Sequence, residues 1–290
     1  MNKENHVVSF SGGRTSAYLV YLMEQKRKLL NWSVTYIYMD TGAEHPKTYE
    51  FIRNVAEHFK IDLVCLRVVI NPELGQGNTY EQINISDLKT DFYVWPSLLK
   101  KYGVPYVNGA FCTDRMKLVP YTKYCKDKFG KDYITWLGIR ADEPKRLIPK
   151  AGKRYLAEIS HFDKWDVIDW WKDMPFDLEI PEYLGNCMFC IKKGVNKVAL
   201  AARAEPEFSA QFNKIITSDS VRIMEGKEEM EQKMYRGKLS FSEVIDGFKE
   251  VPTDYLLSQL RGRRQEDSGS CSESCEIFND ENQLDLFLDN

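Results

Sequence analysis

Two sets of residues in this chain have the types and spacing to do chemistry, one through sulfur and one through phosphate binding. The sulfur set is Cys187-Met188-Phe189-Cys190, a C-x-x-C, with Cys112 upstream and Cys271 and Cys275 near the end of the sequence. Thiolates are soft donors for iron and zinc, and Cys187, Cys190, Cys271 and Cys275 form a fair four-thiolate zinc set. Cys65 and Cys125 fall in apolar patterns and are expected to be inert core thiols. The phosphate set opens with Val7-Val8-Ser9-Phe10-Ser11-Gly12-Gly13-Arg14-Thr15-Ser16. An apolar run ends in a small-residue turn, and Ala17–Met23 behind it reads as a helix. Strand, glycine loop and helix N-terminus form an anion-binding corner, because the first N–H groups of a helix are unpaired and its dipole favours negative charge there. Gly12 and Gly13 let backbone approach a phosphate, with Ser9 in the run ahead of them. Ser11, Thr15 and Ser16 add hydroxyls, and Arg14 adds a cation. Neither G-x-x-x-x-G-K-[ST] nor G-x-G-x-x-G is present.

Further candidates stand at the ends of other apolar runs. Asp40, followed by Thr41 and Gly42, is placed to accept from ribose hydroxyls, to hold Mg²⁺, or to cap the next helix. Arg140 and Arg146, after Gly138, have the forked donors that clamp phosphate or sulfate oxygens; a solvated charged loop is the competing reading.

These groups need a frame. His6–Phe10, Val34–Met39, Ile61–Ile70 and Tyr133–Leu137 read as strands. Pro46 opens a helix whose Tyr49, Ile52, Ala56 and Phe59 share one face, and Leu118–Phe129 reads as another. Alternating strands and helices predict an α/β fold with a Rossmann-like parallel sheet, in which ligands bind beyond the carboxyl ends of the strands. Ser11 and Asp40 both lie at such ends. Residues 80–110 have no secure assignment, Trp165–Trp171 is an aromatic segment, and 205–236, with Met224, Met230 and Met234, reads as charged and helical. The expected organisation is a nucleotide-binding domain over 1–200, a helical C-terminal region over 201–265 and a partly mobile tail over 266–290 carrying Cys271 and Cys275.

Ser11-Gly12-Gly13-Arg14-Thr15-Ser16 resembles the PP-loop, S-G-G-x-D-S, of the adenine nucleotide α-hydrolase superfamily, with Thr15 where that motif has Asp. Tyr38–Tyr49 resembles the D-T-G-x-x-x-x-x-T segment of the phosphoadenosine phosphosulfate (PAPS) reductase branch, and Gly138–Arg146 its G-x-R-x-x-x-x-x-R segment. Phe111–Pro120 is similar to the C-C-x-x-R-K-x-x-P-L stretch of assimilatory adenylylsulfate reductases, with Phe111 at the first Cys. The resemblance implies that ATP or a related adenine nucleotide binds at Ser9–Ser16, Asp40–Gly42, Gly138 and Arg140, with Mg²⁺. It also implies a [4Fe–4S] cluster on Cys112, Cys187 and Cys190, three-thiolate with one open iron or completed by Cys271 or Cys275; zinc is the alternative. The reductases attack sulfur with a cysteine in E-C-G-x-H, a string absent here, and Glu273 and Glu276 beside Cys275 disfavour a thiolate. The reading that follows is a PP-loop enzyme that splits ATP, adenylates a substrate through Arg140, Arg146 and Asp40, and passes sulfur from a donor to an acceptor such as nucleic acid. A phosphosulfate reductase and a non-catalytic nucleotide-sensing module are the alternatives.

Composition sets the outer limits. At 290 residues, 43% of them apolar, the chain supports a sizeable core. A net charge of −3 supplies no global pull toward nucleic acid or anionic membrane. A local basic face, Lys192, Lys193, Lys197 and Arg203, stands beside the C-x-x-C and would guide a nucleic-acid backbone or simply be a solvated helix face. No apolar run reaches the ~18 residues of a membrane span. The polar start Met1–Asn5 is not a signal peptide, and the seven cysteines are expected to be reduced in the cytoplasm.

Overall fold

The apolar runs of the sequence become neighbouring strands of one sheet. In the computed structural model, which describes residues 4–223, 226 and 232–262, β1 is Asn5–Ser9, β2 Ser33–Asp40, β3 Leu63–Val69, β4 Thr79–Ile83, β5 Ile134–Leu137 and β6 Lys153–Tyr155. The order is β4-β3-β2-β1-β5-β6, and every pairing is parallel except β3 with β4. The fold is therefore α/β and Rossmann-like. β4 lies within the stretch that the sequence left unplaced. The loop at 70–78, with Pro72 and four Asn or Gly residues, turns the chain back on β3, and an antiparallel neighbour needs no crossover helix.

The helices are α1 Arg14–Leu30, α2 Pro46–Phe59, α3 Trp95–Tyr102, α4 Phe111–Thr113, α5 Val119–Phe129, α6 Lys164–Lys172, α7 Val195–Ala204, α8 Pro206–Ile216, α9 Phe241–Phe248 and α10 Thr253–Gly262. Strand alternation decides which layer each side chain joins. Val7, Ile37, Met39, Val64 and Leu66 pack with Tyr121 and Cys125 of α5 on one face. Val8, Tyr36 and Tyr38 pack with α1 and α2 on the other. On α2, Tyr49, Ile52 and Ala56 are buried at the expected spacing. Between α4 and α5 the chain makes a π turn, Asp114–Leu118. Pro120 at the start of α5 has no N–H for the Met116 carbonyl, so the normal bond register cannot run through this point.

The C-terminal helices are built onto the sheet domain. Phe189, Phe212 and Phe241 pack with centroids 5.1–5.3 Å apart, and Tyr235 Oη donates to the Phe189 carbonyl at 2.8 Å. Helix α7 runs across the 200/201 boundary drawn from the sequence. Among the described residues of 205–236 the helix runs from Pro206 to Ile216; Met234 is buried in a non-helical stretch bridged at Tyr235 to Leu239, and Met224 and Met230 lie outside the described residues. Among the described residues no helix is long and apolar enough to cross a membrane.

One core group is a titration probe for the fold. His6 stacks on Trp32 at 3.9 Å, accepts from Trp136 Nε1 at 3.0 Å through Nδ1, and has Nε2 3.3 Å from Glu4. Burial, against the pull of Glu4 and with a small push from Arg154, lowers its pKa below the ordinary 6.5. The unfolded chain therefore takes up this proton first, so the contribution is whole above pH about 6.5 and lost as pH falls through the folded value. We expect melting temperature to decline on acidification below pH 6.5 by more in the native chain than in His6→Asn, whose amide oxygen still accepts from Trp136. Identical pH profiles for the two would refute it.

Candidate functional site

The loop after β1 is closed by Ser16. Its hydroxyl accepts from the Ser11 N–H at 3.2 Å, lies 2.9 Å from Ser11 Oγ and donates to the Gly13 carbonyl at 2.9 Å. Gly13 sits at the N-cap of α1 without a capping side chain, which leaves the first N–H groups of the helix to an anion. Gly12 has φ +82°, and a Cβ there would meet Ile52 Cδ1 at 3.0 Å and Thr48 Cγ2 at 3.3 Å. Its glycine is needed for a left-handed turn pressed against α2, so a side chain would run into α2 rather than into the place of a phosphate.

Arg14 does not serve as the loop's free cation. Its Nε and Nη2 grip Asp177 at 2.6 and 2.9 Å, and Nη2 also donates to the Leu178 carbonyl at 2.5 Å. Arg14 is a strut between the loop and the 177–178 segment, and Trp171, fully buried, donates to the Arg14 carbonyl at 3.0 Å. The cation that reaches the loop is Arg140, whose Nη1 donates to Thr15 Oγ1 at 3.2 Å. Its other side is fixed by Asp142, at 2.8 and 3.1 Å. Arg146 is ion-paired with Glu143. Gly138 brings the end of β5 against α1: a Cβ there would stand 3.1 Å from Ser16 Cα and 3.2 Å from Ser16 N.

Asp40 has a different task from the one its position suggested. It is fully buried; Oδ1 accepts from the Gly42 N–H and Tyr49 Oη at 3.0 Å each, and Oδ2 from Arg67 Nε and Nη2 at 3.0 and 2.6 Å. Four internal donors take up the carboxylate, which corrects the expectation that it meets ribose hydroxyls or Mg²⁺. What it holds is the Thr41–Gly42 turn. Gly42 has φ +65°, its carbonyl accepts from the N–H groups of Asp91 and Phe92, and a Cβ would meet Asp91 Oδ1 at 2.7 Å.

That turn is also one wall of the sulfur site. Cys112, Cys187 and Cys190 line one small cavity with Thr41, Trp95 and Lys117. The Cys187 thiol lies 3.5 Å from Thr41 Oγ1 and 3.6 Å from Glu44 Oε1, and Lys117 Nζ lies 3.6 Å from the same Glu44 oxygen. A β-bridge between Glu44 and Cys187 and the Met188 N–H bond to the Ala43 carbonyl, 2.9 Å, stitch the C-x-x-C turn to the end of β2. Trp95 Nε1 donates to the Thr41 carbonyl at 3.1 Å. Cys65 and Cys125 sit elsewhere in the core, their thiols pushed up to about 12 by burial.

The three converging thiols do not amount to an assembled metal site. Among the described residues no group of three or more His, Cys, Asp or Glu could hold a metal ion. Phe111, where a fourth thiolate would stand, packs on Tyr102 with centroids 5.6 Å apart. Cys271 and Cys275 lie outside the described residues. Among the described residues Cys112, Cys187 and Cys190 are the thiols that would hold such a group, and thiolates are donors for either zinc or iron.

Three members of the basic face beside the C-x-x-C, Lys193, Lys197 and Arg203, have partners within the fold. Lys193 is buried, donating to the Tyr183 and Met188 carbonyls at 2.8 and 3.0 Å; Lys197 pairs with Glu182; Arg203 binds Thr253 Oγ1 and the Phe248 carbonyl. The residues that the sequence reading passed over are Glu44, Lys117, Arg67 and Asp177. The first two lay inside recognised stretches as charges among buried neighbours. Nothing near Asp177 in sequence signals its partner, Arg14.

A mostly parallel sheet with a Ser/Gly loop feeding the N-terminus of α1, and an arginine from the end of β5 on that loop, defines a Rossmann-like α/β protein with an anion-binding corner. Residues 5–156 match the phosphoadenosine phosphosulfate reductase domain, and the chain belongs to that family. It is 53% identical over 286 residues to the uncharacterized nin region protein ORF290 of Escherichia phage lambda, covering 97% of both chains. It is also similar to the uncharacterized protein MJ0066 of Methanocaldococcus jannaschii, 26% identical over 141 residues, 49% of this chain but 24% of that one.

Proposed function

We propose that the protein is an adenine-nucleotide-dependent enzyme that activates a substrate oxygen at the α-phosphate and lets sulfur from the thiol cavity displace the nucleotide. The observation that carries this is Thr41: its backbone belongs to the turn at the nucleotide end of β2, and its hydroxyl is 3.5 Å from Cys187 Sγ. The turn that walls the thiol cavity thus ends the strand next to the one that feeds the anion loop.

In this reading the amides at the start of α1 and the Arg140 guanidinium stabilise charge that develops on the α-phosphoryl oxygens. A substrate oxygen attacks the α-phosphorus and pyrophosphate leaves. The terminal sulfur of a persulfide passed from the donor to Cys187 then attacks the activated carbon, and AMP leaves with the oxygen. A thiol reductant cleaves the resulting disulfide, freeing the thiolated product and the Cys187 thiol and forming the reductant's own disulfide. Mg²⁺ would enter on the nucleotide's own phosphates, since Asp40 is taken up internally and Thr15 is no carboxylate. Glu44, beside the Cys187 thiol, is the group positioned to receive its proton, with Lys117 balancing the carboxylate charge.

The test is pyrophosphate release from ATP in the presence of pooled RNA or DNA, with sulfur incorporation followed from a labelled persulfide donor. The expected result is release in both native chain and Cys187→Ser, and incorporation in the native chain alone. Sulfite from PAPS or adenylylsulfate with a thiol donor, abolished by Cys275→Ser, would instead make it a phosphosulfate reductase.

A further inference from the structure

Helices α1 and α2 follow β1 and β2, so their N-termini stand at the carboxyl ends of those strands, where a parallel sheet takes its ligands. A single stretch, Asp177-Leu178-Glu179-Ile180, sets an acid against a cation at each of the two helix ends. Arg14 is the first residue of α1; its Nε and Nη2 hold the two carboxylate oxygens of Asp177 at 2.6 and 2.9 Å. Lys47 is the second residue of α2, and its Nζ lies 3.8 Å from Glu179 Oε2. Leu178 and Ile180, which alternate with the acids, are buried. The apolar pair seats this strap on the fold and leaves its carboxylates to the helix ends.

A helix N-terminus favours any anion, and an arginine fork takes two oxygens of a phosphate in the same way as two oxygens of a carboxylate. Asp177 therefore occupies the guanidinium edge that a phosphate beside the α1 amides would use, and its charge opposes a second anion there. The pair is placed for exchange. The side chains of Arg14 and Asp177 are 12% and 32% exposed, so water can take up the carboxylate as it leaves. The Asp40–Arg67 pair has no such exit, with Asp40 fully buried. We propose that Asp177 is an internal competitor of the nucleotide: it keeps Arg14 from the phosphates, and a bound polyphosphate takes the guanidinium by displacing it. The proposal rests on the nucleotide reading above. The carboxylate retakes Arg14 when pyrophosphate leaves, which weakens the hold on product as well as on substrate. Glu179 is the lesser member of the strap, since an exposed pair at 3.8 Å is held loosely.

The experiment is calorimetry with ATP at low salt on the native chain, Asp177→Asn, Arg14→Gln, the double variant Arg14→Gln/Asp177→Asn and Asp173→Asn. The last makes the same charge change at the end of α6, on the same connection. Urea unfolding of each protein gives its stability. Asp177→Asn is expected to lose stability and yet to bind ATP about fivefold or more tightly. No such gain is expected where Arg14→Gln is already present, or in Asp173→Asn. The sign of the change separates the two roles, because a strut that only shapes the loop would lose affinity along with stability. Unchanged or weaker ATP binding in Asp177→Asn would overturn the proposal. An equal gain in the Arg14→Gln background would also overturn it, by reducing Asp177 to a general repulsion, and an equal gain in Asp173→Asn would do so by making the effect one of net charge. No ATP binding by the native chain or any variant would instead remove the nucleotide reading and the proposal together.

Discussion

Asp40→Ala is expected to destabilise the protein by about 3–5 kcal/mol, the cost of removing one member of a buried, hydrogen-bonded ion pair. Asp40 has no solvent exposure, and its loss strands Arg67, the Gly42 N–H and the Tyr49 hydroxyl together. Equilibrium urea unfolding measures the loss. Nucleotide affinity should fall with it, because the Thr41–Gly42 turn loses its anchor. Adding Arg67→Met should restore a large part of the stability, since two apolar groups replace a pair instead of leaving half of it. A variant that unfolds like the native chain yet no longer binds nucleotide would return Asp40 to the role of a direct ligand.

Gly12→Val is the second large effect. A β-branched residue at φ +82° carries about 1–2 kcal/mol of left-handed strain, and forcing its side chain against Ile52 adds about 1–3 kcal/mol of overpacking. The loop must move to relieve both, taking the Ser11–Ser16 amides with it, so ATP affinity should fall along with stability. Trimming the obstacle distinguishes packing from direct occlusion of the ligand. In an Ile52→Ala background, Gly12→Ala should cost less than it does in the native chain. Full native stability in Gly12→Val with nucleotide binding abolished would mean that the side chain enters the phosphate's place, contrary to this geometry.

Much of the frame was legible because it rests on short-range pattern. The Val7–Phe10 run, the Ser/Gly turn and the apolar face of α2 announce themselves within a few residues, and parallel crossovers follow from their order. Strand β4 was not legible: Thr79–Ile83 is half polar and has its partner through a hairpin rather than a crossover. The site was legible in its members more than in their tasks. Cys112, Cys187 and Cys190 line one cavity, and Arg140 reaches the loop. The tasks of Asp40 and Arg14 depend on partners 27 and 163 residues away, which local spacing does not encode. The burial of Lys193 likewise depends on backbone carbonyls, of Tyr183 and Met188, which residue type alone does not announce.

The claim on which the functional account turns is that the nucleotide corner and the thiol cavity are one site joined through Thr41. Alkylation rates of individual cysteines, read by peptide mass spectrometry with and without ATP, test it directly. Cys65 and Cys125 are buried and serve as internal references. With ATP at about 100 times its Kd, the account predicts that modification of Cys187 slows by about tenfold or more while the two references stay unmodified. ATP binding, established by calorimetry on the same sample, with no change in the Cys187 rate would contradict it.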